Sequence, residues 1–139
     1  MSRATPIKGL GEIAFRVADL DASQEFYERV VGLELMRRFP TSAFFRIAEG
    51  VAGHTQIVAL FDRSDSANYT GLDPARTTVD HAAFGIELAD YEPEKARLEA
   101  LGISVTTREH EWTHWRSIFF NDPDGNTLEL VCYDPAVGV

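Results

Sequence analysis

The sequence predicts an α+β fold of two tandem β-α-β-β-β modules, and two internal repeats together with the order of the apolar segments carry that prediction. Leu10-Gly-Glu-Ile-Ala-Phe-Arg-Val17 returns as Val79-Asp-His-Ala-Ala-Phe-Gly-Ile86, with Glu12 falling where His81 falls. Gly53-His-Thr-Gln-Ile-Val-Ala-Leu-Phe-Asp62 returns without a gap as Gly125-Asn-Thr-Leu-Glu-Leu-Val-Cys-Tyr-Asp134, which sets Ile57 opposite Glu129. The offset is 69 residues at the front (Glu12 to His81) and 72 at the back (Asp62 to Asp134), as a duplication with small loop changes requires.

The elements follow in order. Residues 10–17 read as a strand in which Ile13, Phe15 and Val17 face a core while Glu12, Ala14 and Arg16 face the other way. The copy sets Ala82, Phe84 and Ile86 against His81, Ala83 and Gly85. A helix follows the first strand, with Asp21 as cap, Gln24 three residues on, Phe26 and Val30 on the core face and Gly32 as its stop. Its counterpart runs from Tyr91 to Leu101, with Pro93 in the first turn and Gly102 at the end. Three strands complete each module, at about 33–39, 43–48 and 54–61 and again at about 103–108, 114–120 and 126–133. Asp122-Pro-Asp-Gly-Asn126 is a turn between the last two. The whole chain, 1–139, reads as one domain with module 1 at about 7–62, a polar linker at about 63–78 and module 2 at about 79–134.

Composition excludes several function classes. Hydrophobic residues make up 45% and charged residues 25%, which is globular rather than disordered. A net charge of −9 without a Lys/Arg cluster provides no basic footprint for nucleic acid or an anionic membrane. No apolar run approaches the roughly 20 residues of a membrane span, and Met1 to Pro6 lacks the apolar region of a signal peptide, so a cytoplasmic location is expected. Cys132, the one cysteine, lies within an apolar strand pattern and reads as a small core residue. Phosphate-binding glycine loops, Cys-x-x-Cys pairs and a Gly-x-Ser-x-Gly elbow are absent, which leaves nucleophilic hydrolysis without support.

With this order in hand the chain resembles the vicinal oxygen chelate superfamily, which contains glyoxalase I, fosfomycin resistance proteins, bleomycin resistance proteins and extradiol ring-cleaving dioxygenases. The matching residues are Ile13-Ala-Phe-Arg-Val-Ala-Asp-Leu-Asp21, Phe26-Tyr27, Val31-Gly-Leu-Glu-Leu35, Asp80-His-Ala-Ala-Phe84 and Phe119-Phe-Asn-Asp-Pro-Asp-Gly-Asn-Thr-Leu-Glu-Leu130. The resemblance implies that the modules form a cupped mixed β-sheet, with metal ligands projecting from the first and last strands. Carried over residue by residue, the ligand positions fall on Glu12, His81 and Glu129. The same three stand out on the strand pattern, since each lies on the non-core face and interrupts an apolar run.

One divalent cation (Zn, Ni, Co, Mn or Fe) would account for all three, because carboxylate oxygens and a neutral imidazole suit these metals. Two carboxylates cancel its charge, which leans toward Lewis-acid lyase or isomerase chemistry on a small substrate with adjacent oxygens. Glu12 or Glu129 is then a candidate base, as the resemblance to glyoxalase suggests. Two alternatives stay open: a metal-free module that sequesters a small molecule in the bleomycin-resistance manner, and an extradiol dioxygenase. Against the metal, Glu12 stands where His or Gln is commoner in the family, and Ile57 denies a fourth symmetric ligand. His54 and Gln56 alternate away from the Ile57 face.

Glu109-His-Glu-Trp-Thr-His-Trp-Arg-Ser117 is the other unusual stretch. Trp112, His114, Trp115 and Arg116 are candidate substrate contacts there, with Arg116 as an anion clamp and Arg16 as another. The two tryptophans equally suit a dimer contact, and a homodimer is the expected assembly.

Overall fold

A computed structural model describes residues 6–138, and the chain divides between Leu72 and Asp73 into two compact units. The first holds β1 (Glu12–Arg16), α1 (Leu20–Phe26), β2 (Glu34–Phe39), β3 (Ser42–Glu49) and β4 (Thr55–Phe61). The second holds β5 (Ala82–Gly85), α2 (Tyr91–Ala100), β6 (Thr106–His110), β7 (Trp115–Asn121) and β8 (Thr127–Tyr133). Each unit forms a four-stranded mixed sheet, ordered β1-β4-β3-β2 and β5-β8-β7-β6, in which the first pair is parallel and the others antiparallel. The fold is α+β, as the repeats predict. Among the described residues no helix is long and apolar enough to cross a membrane.

Alternation along each strand sets one face on a core and leaves the other open. Phe15, Phe45, Val58 and Leu60 are buried in the first unit, and Ala82, Ile118, Phe120, Leu128 and Leu130 in the second. At about 25 cal/mol per Å² of apolar surface, the valine, leucine, isoleucine and phenylalanine side chains among these contribute roughly 1.5–3 kcal/mol each. Cys132 packs on the core side of β8, where burial raises its thiol pKa and keeps it protonated.

The first helix differs from its sequence reading. Asp19, not Asp21, is the cap: its carboxylate accepts from the Ala22 amide at 3.1 Å, and Asp21 pairs instead with Arg38 at 2.8 Å. Starting two residues earlier brings Leu20 into the helix, so the buried stripe is Leu20, Ser23 and Tyr27, with Phe26 and Val30 only half-buried beside it. A wider π turn, Tyr27–Val31, continues α1 and seats the fully buried Tyr27 ring between Phe15 and Phe45, at 6.3 and 5.9 Å. Gly32 then closes the turn at φ 87°, a conformation that costs a residue with a Cβ.

β6 starts three residues later than predicted. After α2 the Ile103 amide returns to the Leu98 carbonyl, so residues 103–105 leave the helix before pairing with β7 begins. The Asp122 turn forms as expected: its carboxylate accepts from the amides of Asp124 and Asn126 and from Asn126 Nδ2, each at 2.9 Å.

Equivalent backbone bonds join Val17 to Phe61 and Ile86 to Val131, and Ala14 pairs with Ala59 as Ala83 pairs with Glu129. The residue equivalent to Glu129 is therefore Ala59, two positions from the Ile57 of the sequence alignment. A shift of two preserves the side-chain face, so the first unit still offers no carboxylate there.

Candidate functional site

The open face of the second sheet gathers polar groups around one buried carboxylate. Glu129 on β8 is only 5% exposed. His81, immediately before β5, reaches its Oε1 with Nε2 at 3.0 Å, while the His81 Nδ1 lies 2.7 Å from Asp80 Oδ2. The other Glu129 oxygen accepts a short hydrogen bond from the Ser117 hydroxyl, and Ser117 Oγ stands 3.1 Å from His110 Nε2. With Ser117 donating to Glu129, its oxygen accepts from His110, which fixes the proton on His110 Nε2.

Strand register explains why these groups meet. Ser117 and Phe119 alternate onto the Glu129 face of β7, and cross-strand pairing brings Arg108 opposite Ser117 and His110 opposite Trp115. The resulting cavity has a volume of about 640 Å³ and is lined by Asp80, His81, Arg108, His110, Phe119 and Glu129, with Thr106, Asn121 and Thr127 among the others. Burying a carboxylate costs several kcal/mol unless its oxygens are satisfied, and here His81 and Ser117 provide the partners. The hydrogen bond to Asp80 raises the pKa of His81 above the ordinary imidazole value; partial burial opposes this, and the Glu129 charge adds to it.

Two donors held about 2.1 Å from one cation at about 90° lie about 3.0 Å apart. His81 Nε2 and Glu129 Oε1 have that separation, and Asp80 holds the opposite imidazole nitrogen in the manner of the carboxylate partners that orient metal-ligating histidines. The pair fits one edge of a metal centre. Among the described residues no three His, Cys, Asp or Glu side chains are grouped to hold a metal, so His81 and Glu129 are a two-donor arrangement. Glu12 is exposed on β1 of the first unit, opposite Ile57, with Arg16 along the same face.

The other candidates of the second unit do not join the His81–Glu129 group. Arg116 alternates to the helix side of its sheet, where it stacks on Tyr91 at 4.1 Å and pairs with Glu92 at 3.2 Å and Asp134 at 3.6 Å. His114, in a left-handed turn at φ 60°, directs Nδ1 to the Val137 carbonyl at 2.5 Å and lies edge-on to Tyr133. Trp112 is 85% exposed and rests against Trp115, with ring centroids 6.1 Å apart. Conversely, Asp80, Arg108, His110 and Ser117 enter the site without having been singled out as site residues. A readable signal existed for Ser117, which interrupts an apolar strand on the face shared with Glu129; His110 and Arg108 needed the β6–β7 register.

The Glyoxalase/Bleomycin resistance protein/Dioxygenase superfamily matches residues 9–130. Glutathione transferase FosA of Serratia marcescens is 28% identical over 124 residues, covering 89% of this chain and 80% of that protein. Metallothiol transferase FosB of Bacillus licheniformis is 29% identical over 126 residues, covering 89% and 75%. Among solved structures, lactoylglutathione lyase from Agrobacterium tumefaciens superposes with a TM-score of 0.66 at 30% identity, covering 92% of this chain and 96% of that one. A variant of the fosfomycin resistance protein FosX from Listeria monocytogenes, complexed with Mn(II) and 1S,2S-dihydroxypropylphosphonic acid, superposes with a TM-score of 0.67 at 24% identity, covering 93% and 95%. With the match spanning nearly the whole chain and the duplicated sheets to accompany it, this protein belongs to the Glyoxalase/Bleomycin resistance protein/Dioxygenase superfamily.

Proposed function

We propose that this protein is a divalent-metal-dependent enzyme acting by Lewis-acid chemistry on a small substrate with adjacent oxygens. The observation that carries the reading is the 3.0 Å approach of His81 Nε2 to Glu129 Oε1, with each side chain held from behind by Asp80 or Ser117. Glu12, equivalent to His81 by position in the repeat, is the third proposed ligand. Relatives lend support: FosB is a metallothiol transferase, and the FosX variant is complexed with Mn(II) and a phosphonic acid bearing adjacent hydroxyls.

A bound divalent ion would polarise a substrate oxygen and stabilise the negative charge that develops on it. The chain's own residues then have separable tasks. Asp80 keeps the His81 ring oriented, Ser117 and His110 fix the Glu129 carboxylate, and Phe119 supplies an apolar wall beside His81, with ring centroids 5.9 Å apart. Arg108, on the same face, supplies a cation for an anionic substrate group. Glu12 or Glu129 is the proposed base, Trp112, Trp115 and His114 are proposed outer substrate contacts, and a homodimer is the proposed assembly.

A metal-free binding role is the second reading, favoured by the absence of a three-donor group among the described residues. Metal analysis of protein purified without chelator separates them: about one equivalent of a divalent ion supports the enzyme, and protein that neither contains nor takes up such an ion overturns it.

A further inference from the structure

Residues 134–138, which follow β8, fold back on the 3-10 turn Glu111–Thr113 that joins β6 to β7. The Asp134 amide donates to the His114 carbonyl at 2.7 Å and His114 Nδ1 donates to the Val137 carbonyl at 2.5 Å, so this segment grips one residue through both backbone and side chain. A carbonyl only accepts, which places the His114 proton on Nδ1. The segment is itself braced: Asp134 accepts from the Ala136 amide at 2.9 Å with one carboxylate oxygen and pairs with Arg116 through the other at 3.6 Å, while its carbonyl accepts from the Val137 amide at 3.1 Å. Val137 is only 4% exposed. At Gly138, φ 79°, the backbone lies so close to the turn that a Cβ there would stand 2.5 Å from the Glu111 carbonyl oxygen.

His114 depends on this grip. Its φ of 60° is left-handed, which costs a residue with a Cβ and persists only where surrounding contacts over-determine it. The His114 amide donates to the Glu111 carbonyl at 3.3 Å, and Thr113 Oγ1 donates to the His110 carbonyl, also at 3.3 Å. His110 thus belongs to the same turn, where its ring lies edge-on to Trp115 with centroids 6.4 Å apart and its Nε2 donates to Ser117 Oγ at 3.1 Å. Ser117 in turn donates to Glu129. Contacts run without a break from Val137 to the buried carboxylate.

We propose that residues 134–138 are a latch. Engaged, they lock the turn and with it the His110 and Ser117 contacts that hold Glu129; released, they let the turn relax and the carboxylate loosen. His114 is the positioning residue of this device and acts on Glu129 through His110. The effect on metal affinity rests on the metal reading above, whereas the effect on the turn does not. Lifting the latch exposes little apolar surface besides Val137, so it opens locally while the sheet stays folded. Coupling is reciprocal, and a divalent ion held by Glu129 must therefore keep the latch shut by the same factor by which the latch improves the ion's affinity.

The first arm of the test uses chelator-treated full-length protein, with amide hydrogen exchange and the imidazole N–H signal of His110 in nitrogen-resolved NMR as readouts. Gly138→Val and His114→Gly are each expected to speed exchange at Asp134, Val137 and residue 114 by about ten-fold, the loss of a hydrogen bond or two, and to broaden or remove the His110 signal. Exchange in β1–β4 should stay as in the parent. His114→Asn tolerates the left-handed conformation and keeps a donor, so it is expected to preserve both readouts. The second arm adds Mn(II): Gly138→Val and His114→Gly should bind it about ten-fold more weakly, and saturating Mn(II) should slow exchange at Asp134 and Val137 of the parent by that factor. The proposal is overturned if neither variant speeds exchange in the segment, if they do so while the His110 signal and the turn amides stay as in the parent, or if His114→Asn behaves like His114→Gly. Parent-like Mn(II) affinity in both variants overturns it as well. Should the parent take up no divalent ion, the metal reading fails and the first arm alone decides.

Discussion

The two units share a strand order and differ in what their open faces carry. In the second sheet Glu129 is buried and tied to His81, Ser117 and, through the serine, His110. In the first, the equivalent of Glu129 is Ala59, and the face carries phenylalanines and unpaired arginines instead. Register also aligns Ser42 with Ser117 and Phe44 with Phe119, so the duplicate keeps the frame of the polar cluster while lacking its carboxylate. A repeated fold thus holds its cores constant by packing and leaves the open faces free to diverge, because a side chain there is not interlocked with the helix-covered core.

If cores are equivalent and faces are not, matched core truncations should cost alike. Leu60→Ala and Leu130→Ala occupy equivalent buried positions, and each is expected to lose about 2–5 kcal/mol in urea unfolding through lost burial and the cavity left behind. A negligible cost at either position would break the equivalence.

The faces should respond unequally. Ser117→Ala is expected to lower divalent-metal affinity by about 10–100-fold, the effect of removing a group that orients a ligand, whereas Ser42→Ala should leave affinity unchanged. Restoration by Ser117→Thr would distinguish lost orientation from general loosening. Equal losses at Ser42 and Ser117 would contradict the assignment.

A smaller effect follows from His81. Its folded pKa is raised above 6.5 through Asp80, so in metal-free protein its stabilisation is complete below the unfolded value and is lost as pH rises through the folded value. Metal binding displaces a proton from the same ring and should reverse that slope, stabilising the protein more as pH rises. Thermal melts from about pH 5 to 9, with and without excess Mn(II), measure both signs. The same slope in both series would show that metal does not compete at His81.

Much of the fold was legible because the duplication and the strand alternation are local patterns: Ile13, Phe15 and Val17, or Ala82, Phe84 and Ile86, declare their face within a few residues. What escaped depended on competition or distance. The cap was read as Asp21, and the burial of Leu20 sets it at Asp19 instead. The two-residue offset between Ile57 and Ala59 is invisible to an ungapped alignment that counts matches rather than hydrogen bonds. At the candidate site, His81 and Glu129 were legible as polar interruptions of apolar strands, while His110 required knowledge of which residue on β7 it faces. Arg116 illustrates the reverse: its neighbours suggested an anion clamp, yet its strand parity turns it toward Tyr91 and Glu92.

Titration of chelator-treated protein with Mn(II) or Zn(II), comparing the parent with His81→Ala and Glu129→Ala, addresses the central claim most directly. The account predicts one saturable site in the parent and its loss in both variants, with far-UV circular dichroism unchanged because neither side chain packs the helix-facing core. Parent-like stoichiometry and affinity in both variants would contradict it.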